Sequence, residues 1–177
     1  DRDDRDDRDD RDDRDDRDNG DDGDDRDDRD DRDPRVRPAR PTDADRIREL
    51  QSHLRQPNPE LLEYGLAVDA TLVSVDGGGA GRGDSGGSVV GYLLPVDAKK
   101  HAGVHLAELV VAPEHRREGR ARGLLAAVIG DASGPVTLQA HPDNEGALAL
   151  YDGFGFEVVG RRPDAYADGD ALALRLE

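Results

Sequence analysis

A chain of 177 residues is long enough for one ordinary domain and a short extension. Its formal net charge of -17 is unevenly spread, because residues 1–33 contain 21 Asp and 9 Arg. The absence of cysteine excludes a disulfide-stabilised fold and a thiolate nucleophile. No apolar run approaches the roughly 20 residues of a membrane span, and no basic-then-apolar leader is present. We therefore expect a cytoplasmic protein with no membrane or nucleic-acid partner.

The amino-terminal segment repeats Asp-Arg-Asp and has no apolar residue before Val36. A segment without apolar side chains cannot bury a core. We therefore predict a disordered tail over residues 1–33 and a folded domain over residues 34–177. The tail is interpreted either as a solvated extension or as a charged arm that binds a cationic partner.

Local patterns change to those of an α/β domain from residue 35 onwards. A Gly- and Ser-rich stretch over residues 77–87 separates two strands and indicates a long hairpin connection. In chain order, the first half is predicted to contain a strand opened by Val36, a helix capped by Thr42 and ended before Pro57, helical turns over residues 59–62, and strands over residues 67–75 and 88–96.

The next predicted strand, residues 103–111, changes the phase of its apolar alternation. Val104 and Leu106 are even-numbered, whereas Leu109 and Val111 are odd-numbered. One extra residue near Ala107 and Glu108 would restore a common face, which is what a β-bulge does. Burial of the strand on both faces is the alternative.

A helix with an apolar stripe then follows, since Ala121, Leu124, Leu125, Val128 and Ile129 recur at helical spacing. The remaining patterns predict a strand over residues 135–140, a helix over residues 144–153, and strands over residues 156–160 and 171–176. The order predicts a mixed α/β fold, with a central sheet flanked by helices.

A basic, glycine-containing turn joins the predicted strand over residues 103–111 to the helix with the apolar stripe. A helix N-terminus offers unpaired backbone N–H groups and the positive end of the helix dipole, both of which bind anions. Cations at this end are disfavoured by about 0.3 to 1 kcal/mol each, yet arginines crowd it. A bound polyanion would offset that cost. The alternative is a solvated basic helix end partly neutralised by Glu114 and Glu118.

Two segments resemble the signatures of the GNAT acyltransferases. Arg116-x-x-Gly119-x-Ala121 resembles the Q/R-x-x-G-x-G/A motif and follows a strand that ends in Leu109 and Val111. The segment from Asn144 through Tyr151 to Phe156 resembles the block that closes the same fold. The resemblance covers residues 36–176 and is strongest to ribosomal-protein-alanine and related N-terminal acetyltransferases.

This resemblance implies a GNAT fold that binds acetyl-CoA as co-substrate, with coenzyme A in a cleft where two strands splay apart. Tyr151 would donate a proton to the departing thiolate, and Asn144 would contact the pantetheine or cap its helix. A core aromatic is the alternative for Tyr151. The implied cofactor-binding residues are Val111, Ala112 and Pro113 for the pantetheine, and Arg116, Arg117, Glu118, Gly119, Arg120, Ala121 and Arg122 for the pyrophosphate, together with Asn144.

The general base is the point where the chain departs from the resemblance. Relatives often carry glutamate on the strand where this chain has Gln139, and an amide cannot take a proton. Glu108 is the catalytic candidate for the general base, acting directly or through water, and His141 and His105 are weaker candidates. The alternative is that Glu108 is an ordinary carboxylate in a salt bridge. His101 and His105 would suit a metal only on a helix, so no metal site is predicted.

The sequence therefore predicts an N-acetyltransferase that transfers an acetyl group from acetyl-CoA directly to a primary amine. A protein N-terminus, a lysine and a small-molecule amine all remain open as acceptors. Two other functions remain open: a non-catalytic acyl-CoA-binding regulatory module, and an interaction protein that acts through its charged tail. The sequence does not indicate an oligomeric state.

Overall fold

A computed structural model describes residue 33 and residues 35–77, 87–98 and 103–177 of the chain. The described residues form seven strands and four α-helices. In chain order these are β1 (Val36–Pro38), α1 (Ala44–Gln51), α2 (Pro59–Ala67), β2 (Leu72–Asp76), β3 (Ser88–Asp97), β4 (Val104–Val111), α3 (Arg120–Asp131), β5 (Val136–Ala140), α4 (Glu145–Phe154), β6 (Glu157–Tyr166) and β7 (Gly169–Leu176).

The strands form one mixed sheet in the order β1-β2-β3-β4-β5-β7-β6. Every neighbouring pair is antiparallel except β4 and β5, which are parallel. A parallel pair requires a crossover connection, and α3 supplies it between these two strands. The predicted mixed α/β class is confirmed.

Each face of the sheet carries its own hydrophobic core. On β3, Leu93 packs with α3 and α4, whereas Tyr92 and Leu94 pack with α1 and α2. The alternation follows from the strand geometry, in which successive side chains point to opposite faces. Full burial of one such side chain contributes about 1.5 to 3 kcal/mol, so the sheet is held from both sides.

The change of apolar alternation predicted over residues 103–111 is confirmed as a bulge in β4. Leu94 pairs with Glu108 and Pro95 pairs with Leu106, so Ala107 has no partner on β3. As a result, Leu106 and Leu109 lie on the α3 and α4 face, although an alternating strand would separate them. The bulge brings Ala107 and Glu108 to the face that carries α1 and α2.

Two predicted boundaries in the first half are wrong. The strand predicted over residues 67–75 begins only at Leu72, because α2 continues to Ala67 after an N-terminal cap from Asn58.

Thr42 does not cap α1, since it lies in a single 3₁₀ turn. Asp43 directly precedes α1 but makes no side-chain cap, because its carboxylate accepts from the N–H of Arg40 and pairs with Arg37 on β1.

The predicted tail lies outside the described residues except for Asp33. The Asp33 carboxylate accepts hydrogen bonds from the backbone N–H and the guanidinium of Arg35, which lowers its pKa below the usual range. Contacts of the folded domain therefore extend to residue 33. No helix in the described part of the chain is long and apolar enough to span a membrane.

Candidate functional site

The parallel strands β4 and β5 separate in the middle of the sheet. Their pairing runs from Val104 opposite Val136 to Leu106 opposite Leu138, whereas β4 continues to Val111. The bulged Ala107 directly follows the last pair. Beyond Leu106, the β5-facing edge of β4 has no strand partner in the described part of the chain. An extended ligand can therefore hydrogen-bond to this edge.

Helix α3 begins beside this opening without a side-chain cap. Gly119 precedes the helix in the left-handed region with φ 76°, a conformation that favours glycine. Among the described residues, the backbone N–H groups of residues 117–122 find no hydrogen-bond acceptor. By contrast, α2 and α4 begin with the capping side chains of Asn58 and Asn144. The start of α3 thus presents a row of free donors, which suits an anion.

The turn before α3 is fixed from two directions. Arg35 donates from Nη1 to the carbonyl oxygen of Glu118 at 3.2 Å. Arg120 donates from Nε to the Glu118 carboxylate at 2.8 Å. Hydrogen bonds from Arg120 and His115 lower the pKa of Glu118. The free N–H donors therefore lie on a turn whose conformation is held by side-chain hydrogen bonds to Glu118.

The arginines of this junction have different surroundings. The Arg120 side chain is 4% exposed, pairs with Asp76 and Glu118, and donates to the Val75 carbonyl. Arg122 lies 5.1 Å from the centre of the Phe154 ring. Arg116 and Arg117 are exposed, and neither pairs with a carboxylate in the part of the chain that the structure describes.

Tyr151 lies on α4, in the core that also contains α3. Its ring is 8% exposed and packs edge-on against Phe156, with ring centres 5.8 Å apart. Its hydroxyl forms no hydrogen bond with any described residue. Burial, with a smaller effect of Tyr166, raises the pKa of Tyr151 to about 12. The phenol is therefore protonated throughout the neutral range and is a free donor.

Glu108 lies in the bulge and is 5% exposed. Its Oε1 accepts from Gln51 Nε2 and from the N–H of Asn58, both at 3.0 Å. Its Oε2 accepts from the Tyr92 hydroxyl at 2.7 Å and from Gln51 at 3.2 Å. Burial and this carboxylate raise the pKa of Tyr92. Glu108 therefore holds α1 and the segment before α2 against β4.

A cavity of about 590 Å³ opens on the same face of the sheet. Glu108 and His105 of β4, and Gln139 of β5, line it from the sheet. The segment between α1 and α2 and the end of β6, including Tyr166, complete its wall. Since Glu60 also lines it, the cavity carries carboxylates and suits a cationic or amine ligand.

The acetyltransferase (GNAT) family model matches residues 44–156, which include the bulge, the turn before α3 and Tyr151. The chain belongs to this family. A mycothiol acetyltransferase of Clavibacter sepedonicus is 49% identical over 63 residues, which cover 35% of this chain and 20% of that protein. The chain spans less than half the length of the curated relatives it matches.

Solved structures share the GNAT fold. A chain of the NatC complex bound to Gag peptide and CoA matches with a TM-score of 0.68 and 22% identity, covering 80% of this chain and 96% of that one. The ribosomal-protein-S18-alanine N-acetyltransferase of Escherichia coli matches with a TM-score of 0.63 and 19% identity, covering 80% and 91%. The GNAT fold expected from the motifs is confirmed.

The structure brings most of the predicted site residues to one region. Val111 ends β4 opposite Gly91, and its carbonyl accepts from Arg116 Nε at 3.2 Å. Ala112 donates its N–H to Val90, and Pro113 opens a 3₁₀ turn. The Asn144 side chain accepts from the N–H of Ala147. The capping role of Asn144 is thus confirmed, and its contact with pantetheine stays a prediction.

Sequence reasoning missed the partners of Glu108. Gln51 and Asn58 lie 57 and 50 positions away along the chain, and Tyr92 lies 16 positions away. A buried tyrosine on β3 and a glutamine at the end of α1 read as ordinary core and surface residues. The one local signal was the polar Glu108 inside an apolar strand, because a buried carboxylate requires donors.

The surroundings of Arg120 predict a structural role for its side chain. Replacing Arg120 with methionine leaves the buried Val75 carbonyl without its donor, which costs about 1 to 3 kcal/mol of unfolding free energy. Arg117→Gln changes an exposed side chain and should alter stability by less than about 0.5 kcal/mol. Urea unfolding of both variants measures the difference. Equal stability would contradict this assignment.

The hydrogen bonds of Glu108 predict a second stability effect. Glu108→Ala leaves the donors of Gln51 and Tyr92 buried without acceptors, at about 1 to 3 kcal/mol each. Tyr92→Phe removes one donor only, so it should lower the free energy of unfolding by less than Glu108→Ala does. Urea unfolding compares the two. A Glu108→Ala variant as stable as the parent would show that these contacts do not hold α1 and α2.

Proposed function

We propose that the chain transfers an acetyl group from acetyl-CoA directly to a primary amine. The observation that carries the proposal is the row of free N–H donors at residues 117–122, beside the opening between β4 and β5. These donors, the helix dipole and the exposed Arg116 and Arg117 suit a pyrophosphate. Membership of the GNAT family supports the same cofactor.

The residues around the opening are proposed to hold the remaining parts of coenzyme A. In this proposal, the edge formed by Val111, Ala112 and Pro113 meets the pantetheine, and Asn144 contacts it from the start of α4. Residues 117–122 hold the pyrophosphate through their free N–H groups, with the exposed Arg116 beside them, since the Arg120 side chain is already paired. Acetyl-CoA supplies the activated acetyl group, and the chain supplies positioning, which accounts for much of the rate in such reactions.

The proposed acceptor binds in the cavity on the α1 and α2 face. Its carboxylates, Glu60 and Glu108, attract a cationic amine before transfer. A mycothiol acetyltransferase of Clavibacter sepedonicus and a NatC complex bound to Gag peptide and CoA are among the similar proteins. These names support both small-molecule amines and protein N-termini as acceptor classes, and lysine is a third.

Tyr151 and Glu108 are the proposed catalytic residues. The Tyr151 hydroxyl donates to the sulfur as negative charge develops there, because a buried, unpaired phenol is a ready donor. Glu108 presents a fixed negative charge to the amine and orders the segment before α2 that borders the cavity. We propose this electrostatic role for Glu108 in place of the predicted proton acceptance, directly or through water, because both of its carboxylate oxygens already accept hydrogen bonds.

A non-catalytic acyl-CoA-binding module is the second candidate function. The observation that favours it is Gln139, which lines the cavity where the family resemblance led us to expect a carboxylate. Such a module would bind acetyl-CoA and release no free thiol.

An acceptor screen separates the two candidates. The full-length protein is incubated with acetyl-CoA and a panel of N-terminal peptides, a lysine peptide and small amines. Release of coenzyme A thiol is measured together with mass-spectrometric detection of the acetylated amine. Acetylated product that depends on the protein supports the enzyme. Saturable acetyl-CoA binding without product from any amine supports the regulatory module.

A further inference from the structure

His105 is the histidine of β4 that lines the acceptor cavity. It lies opposite Thr137 of β5, one residue before the last β4–β5 pair. Its neighbours Val104 and Leu106 pack on the α3 and α4 face, so His105 takes the opposite face, where Glu108 and the cavity lie. The ring is thus at the point where the strands begin to separate.

A single contact with β5 orients the imidazole. His105 Nδ1 lies 3.0 Å from the Thr137 hydroxyl oxygen, and Nε2 bonds to no described residue. A neutral imidazole carries one proton, and the partner of one nitrogen decides which nitrogen carries it. If Nδ1–H donates to Thr137, Nε2 is left as the nitrogen with a free lone pair.

The charges around the ring favour its neutral form. Burial lowers the pKa of His105, and the positive charge of Arg162 on β6 lowers it further. The other titratable groups of the cavity are Glu108 on β4, Glu60 on α2 and Tyr166 at the end of β6. The ordinary pKa of histidine is about 6.5. Because the pKa of His105 is lowered, its imidazole is uncharged at neutral pH and able to accept a proton.

Other polar side chains of the cavity are less suited to accept a proton. Both oxygens of Glu108 already receive hydrogen bonds from Gln51 and from a second donor, and Gln139 carries an amide. Glu60 is exposed in the first turn of α2. Glu60 thus lies on a helix rather than on the strands that separate, whereas His105 lies on β4 where that separation begins.

We propose that His105, through Nε2, is the general base that takes the proton of the acceptor amine. This inference rests on the proposed acetyl transfer. As the amine nitrogen bonds to the acetyl carbon, its proton passes to Nε2 and the carbon–sulfur bond breaks with its electron pair on sulfur. The thiolate receives a proton, with Tyr151 as the donor, and both side chains exchange protons with solvent before the next turnover.

The first test measures the imidazole in the unmodified protein. Nitrogen-15 NMR of the histidine rings, with His105 assigned by comparison with His105→Asn and by through-bond spectra, reports the tautomer and the titration midpoint. The expected result is an Nδ1–H tautomer at neutral pH, with a titration midpoint for His105 below the ordinary histidine value of about 6.5. An Nε2–H tautomer at neutral pH overturns the proposal, because that nitrogen then has no lone pair to accept with.

The second test measures the rate of acetyl transfer against pH. His105→Asn should lower kcat by about 10²- to 10⁴-fold and remove the limb that titrates with His105, while the Kd for acetyl-CoA stays unchanged. His53→Asn, in the exposed turn after α1, is the matched control and should retain the parent profile. His105→Gln replaces the first variant if that one fails to fold.

The outcomes separate this inference from the proposed function. An active parent protein with a fully active His105→Asn variant overturns the role of His105 alone. A parent protein that acetylates no amine in the screen overturns the proposed function, and the role of His105 with it.

Discussion

Replacing Tyr151 with phenylalanine is expected to lower kcat for acetyl transfer by about 10²- to 10⁴-fold. The variant keeps the ring that packs against Phe156 and removes only the hydroxyl. Since that hydroxyl has no partner among the described residues, its loss leaves no buried group unsatisfied. We therefore expect the melting temperature and the Kd for acetyl-CoA to remain close to those of the parent protein.

The pKa of Tyr151 explains why the effect should appear in kcat. A value of about 12 keeps the phenol protonated at neutral pH, so it can donate a hydrogen bond to the departing sulfur. This hydrogen bond strengthens only as charge develops on the sulfur, and an interaction made in the transition state changes kcat more than binding.

A surface tyrosine gives the matched control. Tyr64 is 61% exposed on α2, and Tyr64→Phe should change neither turnover nor stability. Thermal unfolding, calorimetric binding of coenzyme A and steady-state turnover are measured on both variants. Turnover of Tyr151→Phe within about threefold of the parent would remove the hydroxyl from the mechanism. A large fall in melting temperature would assign Tyr151 to the core instead.

Replacing Gly119 with valine is expected to weaken coenzyme A binding by at least about tenfold, equivalent to about 1.4 kcal/mol. A Cβ at this position would lie 3.9 Å from Arg35 Nη2, so the added side chain occupies space at the turn whose N–H groups are proposed to hold the phosphates. The left-handed φ of 76° adds backbone strain for a β-branched residue. The strain can shift the turn and so misalign the same donors.

Two variants separate the steric effect from the strain. Gly119→Asn adds a side chain that tolerates the left-handed region, so it tests bulk near the donors with less strain. Gly130→Ala lies in the same helix, where a Cβ would meet no atom within 4 Å, and should leave binding unchanged. Calorimetry gives the affinities, and urea unfolding gives the stabilities. Unchanged affinity in Gly119→Val would contradict the phosphate site.

Apolar spacing predicted the central elements well. The stripe from Ala121 to Ile129 predicted α3, and the shift between Leu106 and Leu109 predicted the bulge, because burial on a helix or strand imposes a fixed period. The start of α3 was also predictable, since Gly119 stands directly before it. These features depend on residues that are close together in the chain.

Elements without a clear apolar period were harder to predict. β6 was expected to end at residue 160 but continues to Tyr166 as an exposed edge strand, so no buried face marks its second half. The start of β2 was placed too early because Leu66 and Val68 are apolar but belong to the end of α2 and the turn after it. Local residue propensities do not determine where these strands begin and end, because tertiary contacts decide it.

The candidate site was predicted only in part, for the same reason. The motif residues around Gly119 and Tyr151 were identified because they follow one another within short segments. The ion pair of Arg120 with Asp76 and the donors on Glu108 join distant parts of the chain. Such pairs follow from sheet order and register, which a single sequence does not provide.

The most direct test of the phosphate site is amide NMR during titration with coenzyme A. We expect saturable shifts that are largest for the N–H groups of residues 117–122, because these donors have no acceptor among the described residues. The N–H groups at the start of α2, which Asn58 caps, should shift little. Saturable binding with the largest shifts elsewhere, or no binding at millimolar coenzyme A, would contradict a phosphate site at residues 117–122.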